Sequence, residues 1–287
     1  MTEVQPVRAA DRLSAAEIDD VLALADAAAQ VDGVYPLSED VVLCIRNGGA
    51  GVHLRTSAGY AFLEDGAGEL VVHPAHRRQG HGTALLGAIG PTELRIWAHG
   101  DDPGARAFAE HNGFTRDRVL WQMRRSLLDP LPDVPLPAGV TIRGFRPGFD
   151  EQGWVEVNAK AFAQHPEQGR WTLDDLLVRE AEPWFDPAGF LLAVDIADSL
   201  LGFHWTKVHP PAGLDPALGE IYVLGVEPSG HQRGLGAALS VAGLRHLAAA
   251  GLEWASLYVD ESNEAAVKLY RRLGFEVHST DINYHRG

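Results

Sequence analysis

Glu220 stands at the start of an apolar, β-branched run, 14 residues before Gly234 in the segment His231-Gln232-Arg233-Gly234-Leu235-Gly236-Ala237. That segment opens Ala- and Leu-rich sequence, so the order reads strand, turn, helix. A carboxylate so placed can take up a proton, and a helix start offers backbone N–H groups to a phosphate. These are parts of an acyl-transfer site. A fainter copy lies earlier, from Gly68 to Leu85, where Leu70-Val71-Val72 precedes Arg77-Arg78-Gln79-Gly80-His81-Gly82-Thr83. In both copies glycine lets a ligand approach the main chain, and the helix N-terminus favours an anion such as pyrophosphate.

Other nucleotide motifs do not fit these residues. Leu85 and Leu239 stand where a Gly-x-Gly-x-x-Gly fingerprint needs its third glycine, and no Gly-Lys-Ser/Thr occurs. Thirteen histidines are present, yet His73/His76 and His204/His209 lack the His-Glu-x-x-His spacing and have no companion cysteines, so no metal is expected. The formal net charge of −15 argues against a nucleic-acid partner, because neutralising phosphates needs clustered Lys and Arg. A small-molecule substrate suits it better. The polar N-terminus and the lack of any long apolar run predict no membrane partner and a cytoplasmic protein, and the lone Cys44 agrees with a reducing compartment. A monomer is expected.

The 287 residues, 46% hydrophobic and 22% charged, suffice for two ordinary globular domains. In the first half, Ser14 and Glu17 form a capping box before a helix that breaks at Asp32-Gly33. A shorter helix follows from Glu39 to Ile45. Strands are predicted at Val52–Arg55, Gly59–Glu64 and Glu69–Val72, a helix at Arg77–Ile89, a strand at Glu93–Ala98, a helix at Pro103–Glu110 and a strand at Leu120–Arg124. Residues 129–139, with four prolines, read as an extended connector between domains 1–128 and 140–287. The second half repeats the plan. Strand Val140–Phe145 leads to a helix opened by Asp150 and another capped by Thr172 and Asp175, then strands Phe190–Val194 and Leu201–Val208. After the Glu220 stretch come strand Trp254–Val259, helix Glu264–Leu273 and closing strand sequence from Phe275 to Tyr284. The fold class is α/β, each domain a mixed central sheet flanked by helices.

The chain resembles, twice over, the GNAT superfamily of acetyl-CoA-dependent N-acyltransferases. The Gln/Arg-x-x-Gly-x-Gly/Ala motif after a strand matches in both halves, with His231 in place of the usual first residue of the second copy. Asn263-x-x-Ala266 with Tyr270-x-x-Leu273-Gly274-Phe275 is similar to the superfamily's later motif. The resemblance implies that the pantetheine arm of acetyl-CoA pairs with Leu224, Gly225 and Val226, and that its pyrophosphate lies on the amides from His231 to Ala237. It also places Asn263, Glu264, Ala265, Ala266, Val267 and Lys268 beside the cofactor, with Leu70–Val72 and Arg78–Thr83 as the first-half counterparts. Acetyl transfer needs a base for an ammonium, a donor to the tetrahedral oxyanion and an acid for the leaving thiolate. Glu220, the amide of Leu224 and Tyr270 take these roles.

Within the superfamily, His165-Pro166-Glu167-Gln168-Gly169, Trp184-Phe185-Asp186-Pro187 and residues 202–210 resemble tandem-domain members that acetylate the cysteinyl amine of cysteinyl-glucosaminyl-inositol. That implies substrate contacts from Glu39, Glu167, Lys207, Glu220 and Tyr258. The alternatives are a tandem enzyme for another small amine, or an acetyl-CoA-binding scaffold without turnover. Position by position, Ala109 stands where the second half has Tyr270, and Gly66 where it has Glu220. The nearby Glu69 is an odd step away, which on a regular strand points it to the opposite face. The first half is therefore expected to bind acetyl-CoA without catalysing, and the second to catalyse.

Overall fold

The computed structural model describes residues 6–163, 165, 168–211, 215–228 and 234–287. Strand β1 (Arg8–Ala10) has three residues and no apolar alternation to mark it in the sequence; pairing with the next strand fixes it. Helix α1 (Ala15–Asp32) starts at the expected capping box, in which Ser14 N donates to the Glu17 carboxylate at 2.9 Å, and stops at Gly33 with φ 74. Helix α2 (Glu39–Asn47) is capped by Ser38. Strands β2 (Val52–Arg55), β3 (Gly59–Glu64) and β4 (Ala67–Val72) follow as antiparallel neighbours.

The helix expected from Arg77 begins only at His81: α3 is His81–Ile89, with Gly80 at its N-cap in the left-handed region (φ 96) and Arg78 also at positive φ. The glycine turns the chain into the helix instead of lying in its first turn. Strand β5 (Leu94–Ala98) and helix α4 (Pro103–His111) stand as read, and β6 (Thr115–Ser126) extends well beyond the short strand expected. Next come β7 (Thr141–Gly144), α5 (Glu151–Ala161), α6 (Leu173–Glu180), β8 (Phe190–Val194), β9 (Leu200–His209) and β10 (Leu218–Val226). Helix α7 (Leu235–Ala249) again has a left-handed glycine, Gly234, at its N-cap; β11 (Trp254–Asp260), α8 (Glu264–Arg272) and β12 (Glu276–Arg286) complete the chain.

The chain divides into two compact units. Unit 1 holds residues 1–121, 260–262 and 279–287; unit 2 holds 122–259 and 263–278. The proline-rich segment is therefore not where this division falls, and the closing strand is shared: residues 279–287, read from sequence with the second half, lie in unit 1. Ile282 to Arg286 pair antiparallel with β5, in the register Ile282↔Ala98 to Arg286↔Leu94. Strand order in unit 1 is β1-β2-β3-β4-β5-β12-β6, and in unit 2 β6-β11-β10-β9-β8-β7. The pairs β4 with β5 and β10 with β11 are parallel.

Alternation along the strands sends side chains into two layers. In unit 1, Tyr60 and Phe62 of β3 pack with Val21, Ala25 and Val41 of α1 and α2, while Ala61 packs with Leu85 of α3 on the other face. In unit 2, Trp154 of α5 sits among Phe190, Phe203 and Trp205, and Leu235 and Leu239 of α7 pack against Ala193 on the opposite face. Phe190 stacks on Trp205 with centroids 4.3 Å apart. Both sheets are thus sandwiched between helices, as the α/β reading requires.

Candidate active site

The chemistry of unit 2 gathers where two neighbouring strands part. The parallel ladder between β10 and β11 runs from Leu218↔Trp254 to Ile221↔Leu257 and stops, whereas the antiparallel ladder of β10 with β9 continues to Val226↔Gly202. From Tyr222 onward β10 has no register partner on β11, which leaves main-chain groups on that side open to a ligand strand-fashion. A register shift between Ile221 and Val223 marks a bulge at this point, a device that re-aims side chains.

Glu220 lies one residue before the split. Its ladder partners are Lys207 on β9 and Ser256 on β11, so these side chains share a face with Tyr258, two residues beyond Ser256. Glu220 is buried, and its Oε2 contacts His209 Nε2 at 2.5 Å. Lys207 is buried as well, its Nζ 4.3 Å from the Trp184 ring centroid and 5.0 Å from that of Tyr222. Aromatic faces stabilise a desolvated cation. Tyr222 is in turn fixed by Arg179, whose Nε donates to its hydroxyl at 2.8 Å while the guanidinium stacks 3.7 Å over Trp171. Three of the five residues expected to meet substrate, Lys207, Glu220 and Tyr258, are thereby gathered on one sheet face. Glu39 begins α2 in unit 1, and Glu167 lies outside the described residues.

The phosphate-binding end is built from the strand end and the helix start. Leu224 and Val226 pack beside Leu235 and Leu239, and a Cβ on Gly236 would stand 3.7 Å from Val226, so α7 begins hard against the end of β10. Gly234 holds φ 92 with open space where a Cβ would be. Gly225 has no such room, because a Cβ there would lie 2.7 Å from the Phe203 ring. His231, Gln232 and Arg233 lie outside the described residues. Asn263 caps α8 by accepting from Ala266 N at 3.2 Å, and Lys268 bridges to Glu264 at 2.9 Å. Tyr270 is buried on α8, and burial raises its phenol to about 12.

Unit 1 has the same split: β4 leaves β5 after Glu69↔Trp97 but stays with β3 to Val72↔Gly59. Here it opens into a cavity of about 780 Å³ lined by Leu70, Val71 and Val72, by Arg78 and Gly80 to Thr83, and by residues of β5 and α4. Of the first-half cofactor residues only Gln79 stays outside the lining; its side chain donates to Ala75 O at 3.2 Å. Ala109 lines the cavity too, where unit 2 has its tyrosine.

The opposite-face reading of Glu69 is overturned. Glu69 is paired with Phe62, packs on the α1–α2 side and accepts from Ser38 N at 2.7 Å, the face that corresponds to Glu220 in unit 2. The parity count failed because β10 carries a bulge and the β3–β4 ladder does not. Glu69 is nevertheless engaged: His99 lies between it, at 3.6 Å, and Asp281, at 3.0 Å. Burial alone would lower the imidazole, but the two carboxylates outweigh that and raise it to about 10. His99 therefore stays charged, tied to a carboxylate on either side.

His209, Arg179, Trp184 and Tyr222 around Glu220, and His99 and Asp281 around Glu69, are not among the site residues expected from the sequence. For His209 a signal existed: it is two residues past Lys207, hence on the same strand face.

Comparison with known proteins agrees with both units. Residues 154–275 match the Acetyltransferase (GNAT) family, and residues 38–116 match an Acetyltransferase (GNAT) domain. Among solved structures, a tandem GNAT protein from the clavulanic acid biosynthesis pathway superposes with a TM-score of 0.71 at 20% identity, covering 98% of each chain. A GCN5-related N-acetyltransferase from Sphaerobacter thermophilus gives a TM-score of 0.64 at 25% identity, over 98% of this chain and 95% of its own. The mycothiol acetyltransferase of Salinispora arenicola is 54% identical over 96% of this chain and 95% of its own, and that of Parafrankia sp. 52% identical over 100% and 99%. The chain is an acetyltransferase of two GNAT domains and belongs to the mycothiol acetyltransferase family.

Proposed function

We propose that unit 2 transfers the acetyl group of acetyl-CoA to the cysteinyl amine of cysteinyl-glucosaminyl-inositol, giving mycothiol and CoA. The observation that carries this reading is the placing of Glu220: a buried carboxylate one residue before the strands part, on the same face as Lys207 and Tyr258. The relatives at 51–54% identity, each named mycothiol acetyltransferase, support the choice of amine. A neutral polyol with a cysteinyl tip calls for several hydrogen-bonding side chains, since a buried polar group left unpaired costs about 1–3 kcal/mol. Lys207, Tyr258 and Glu220 supply three of them on one sheet face.

In the reaction the amine enters as an ammonium and gives a proton to Glu220, through a water. Its nitrogen then adds to the thioester carbonyl, and the amide of Leu224 donates to the resulting oxyanion. The C–S bond breaks as Tyr270 hands its proton to the departing thiolate, and the second proton lost by the amine nitrogen restores the phenol. A phenol raised by burial keeps that proton at neutral pH, which suits an acid. Unit 1 holds a second acetyl-CoA in its cavity without completing turnover, because Ala109 offers no proton and Glu69 is tied to His99 and Ser38. The protein acts as a cytoplasmic monomer.

The test mixes the protein with acetyl-CoA and the cysteinyl amine and follows N-acetylated product by mass spectrometry. Product should form with the parent chain and fall at least about 100-fold with Glu220→Gln. Acetylation of a different amine in preference, or none at all, would overturn the assignment. Activity that survives Glu220→Gln with Tyr270→Phe would move catalysis to unit 1.

A further inference from the structure

Acetylating an ammonium with a thioester releases one proton per turnover: the N–C bond forms, the C–S bond breaks, CoA leaves as a thiol, and one of the ammonium's protons has nowhere to stay. If Glu220 accepts it, that carboxylate must be emptied before the next cycle. Glu220 is poorly placed to do so alone, since its side chain is only 9% exposed. His209 is better placed. Its Nε2 lies 2.5 Å from Glu220 Oε2, while its own side chain is 38% exposed at the last residue of β9. An imidazole has two ring nitrogens and can accept a proton on one while giving one up from the other.

We propose that His209 relays the proton from Glu220 to solvent, joining the buried base to bulk water through a single side chain. It acts through Glu220 and does not touch the reacting atoms, so it is a positioning and relay residue. The ionisable groups on the same face are Lys207 on its own strand, Glu220 and Tyr222 on β10 and Tyr258 on β11. Of these the ammonium of Lys207 is held over the rings of Trp184 and Tyr222, and the hydroxyl of Tyr258 accepts from Gln122 at 2.7 Å. Glu220 meets an exposed ionisable group at His209.

The inference rests on Glu220 being the base, and one experiment separates the two. Steady-state kcat and KM are measured for the parent chain, Glu220→Gln, His209→Gln and His209→Ala, each over a range of imidazole concentrations at fixed pH. Glutamine at 209 can still donate a hydrogen bond to Glu220 but cannot carry a proton. A relay predicts that His209→Gln and His209→Ala both lose about 10-fold or more in kcat with little change in KM, and that imidazole restores much of that loss while leaving the parent rate unchanged. A purely steric or orienting role predicts that His209→Gln keeps its rate while His209→Ala falls, without rescue; that result overturns the relay. Parent-like kcat in both variants overturns it as well. If Glu220→Gln retains its rate, the base assignment fails and the relay with it; if only the His209 variants are silent, the base stands alone.

Discussion

At the scale of single residues, the proposed base and the proposed acid of unit 2 obey different constraints. Glu220 needs an exit for its proton, whereas Tyr270 needs to keep one, and burial serves the second purpose directly. With the phenol raised to about 12, Tyr270 stays protonated across the whole range in which such an enzyme is assayed. Any decline in kcat between pH 8 and 10 must then arise elsewhere. The Tyr270→Phe variant is expected to lose about 100-fold in kcat at every pH in that range, so that its profile runs parallel to the parent's. Profiles that converge toward pH 10 would show the phenol ionising there and overturn its raised pKa, whereas a parent-like rate in Tyr270→Phe would exclude it as the acid. Glu220 and Tyr270 are named from the sequence because each sits at a fixed step from a glycine of its motif. The meeting of His209 with Glu220 has no such marker, because it depends on the register of β9 against β10. Glu69 was placed on the wrong face for a related reason: a bulge changes which residues share a side, and nothing in the composition of the Tyr222 segment announces one.

At the scale of elements, the site depends on how closely α7 approaches the sheet beneath it. Gly243 on α7 leaves no room for a side chain, since a Cβ there would fall 2.1 Å from the ring of His204 on β9. His204 cannot move aside freely, for it is fully buried and its Nδ1 donates to Leu239 O at 2.8 Å. Burial also lowers its pKa to about 4, which keeps the ring neutral. Gly243→Ala is expected to destabilise the protein by roughly 1–3 kcal/mol through overpacking. Because α7 starts against the end of β10, the same change should also raise KM for acetyl-CoA. Chemical denaturation with the kinetics of the purified variant checks both; an alanine variant as stable as the parent would mean that α7 shifts outward at no cost. The two left-handed glycines at the starts of α3 and α7 were legible as a glycine-rich helix entry. Their role as caps outside the helix was not, because a periodicity cannot distinguish the first helical residue from the one that turns the chain toward it.

At the scale of the whole molecule, the division into compact units includes the far end of the chain in unit 1. Residues 279–287 complete the sheet of unit 1, although about two-thirds of the chain separates them from β5. Linear sequence could show two copies of one plan but not which copy receives the last strand, since strand pairing is set by contacts far apart along the chain. The consequence is a dependence of unit 1 on the far end of the chain. Ile282 and Tyr284 are buried in the cluster with Leu86, Leu94 and Phe114, at roughly 1.5–3 kcal/mol each. Asp281 accepts from Gly100 N at 3.0 Å and holds His99. Deleting 279–287 removes all of these from a unit whose stability, for an ordinary domain, is about 5–15 kcal/mol. Hydrogen exchange should then show peptides covering residues 94–100 losing their protection, while those covering 218–226 in unit 2 keep theirs; retained protection in β5 would show that unit 1 holds together without the strand. The His99 cluster adds a pH signature to the intact chain. Its folded pKa, about 10, lies above the ordinary 6.5, so its contribution is whole below pH 6.5 and is lost as pH rises through 10. Protection of residues 94–100 should therefore weaken between pH 7 and 10 by more than the intrinsic rate change, and a His99→Gln variant, lower at neutral pH, should show no such additional loss.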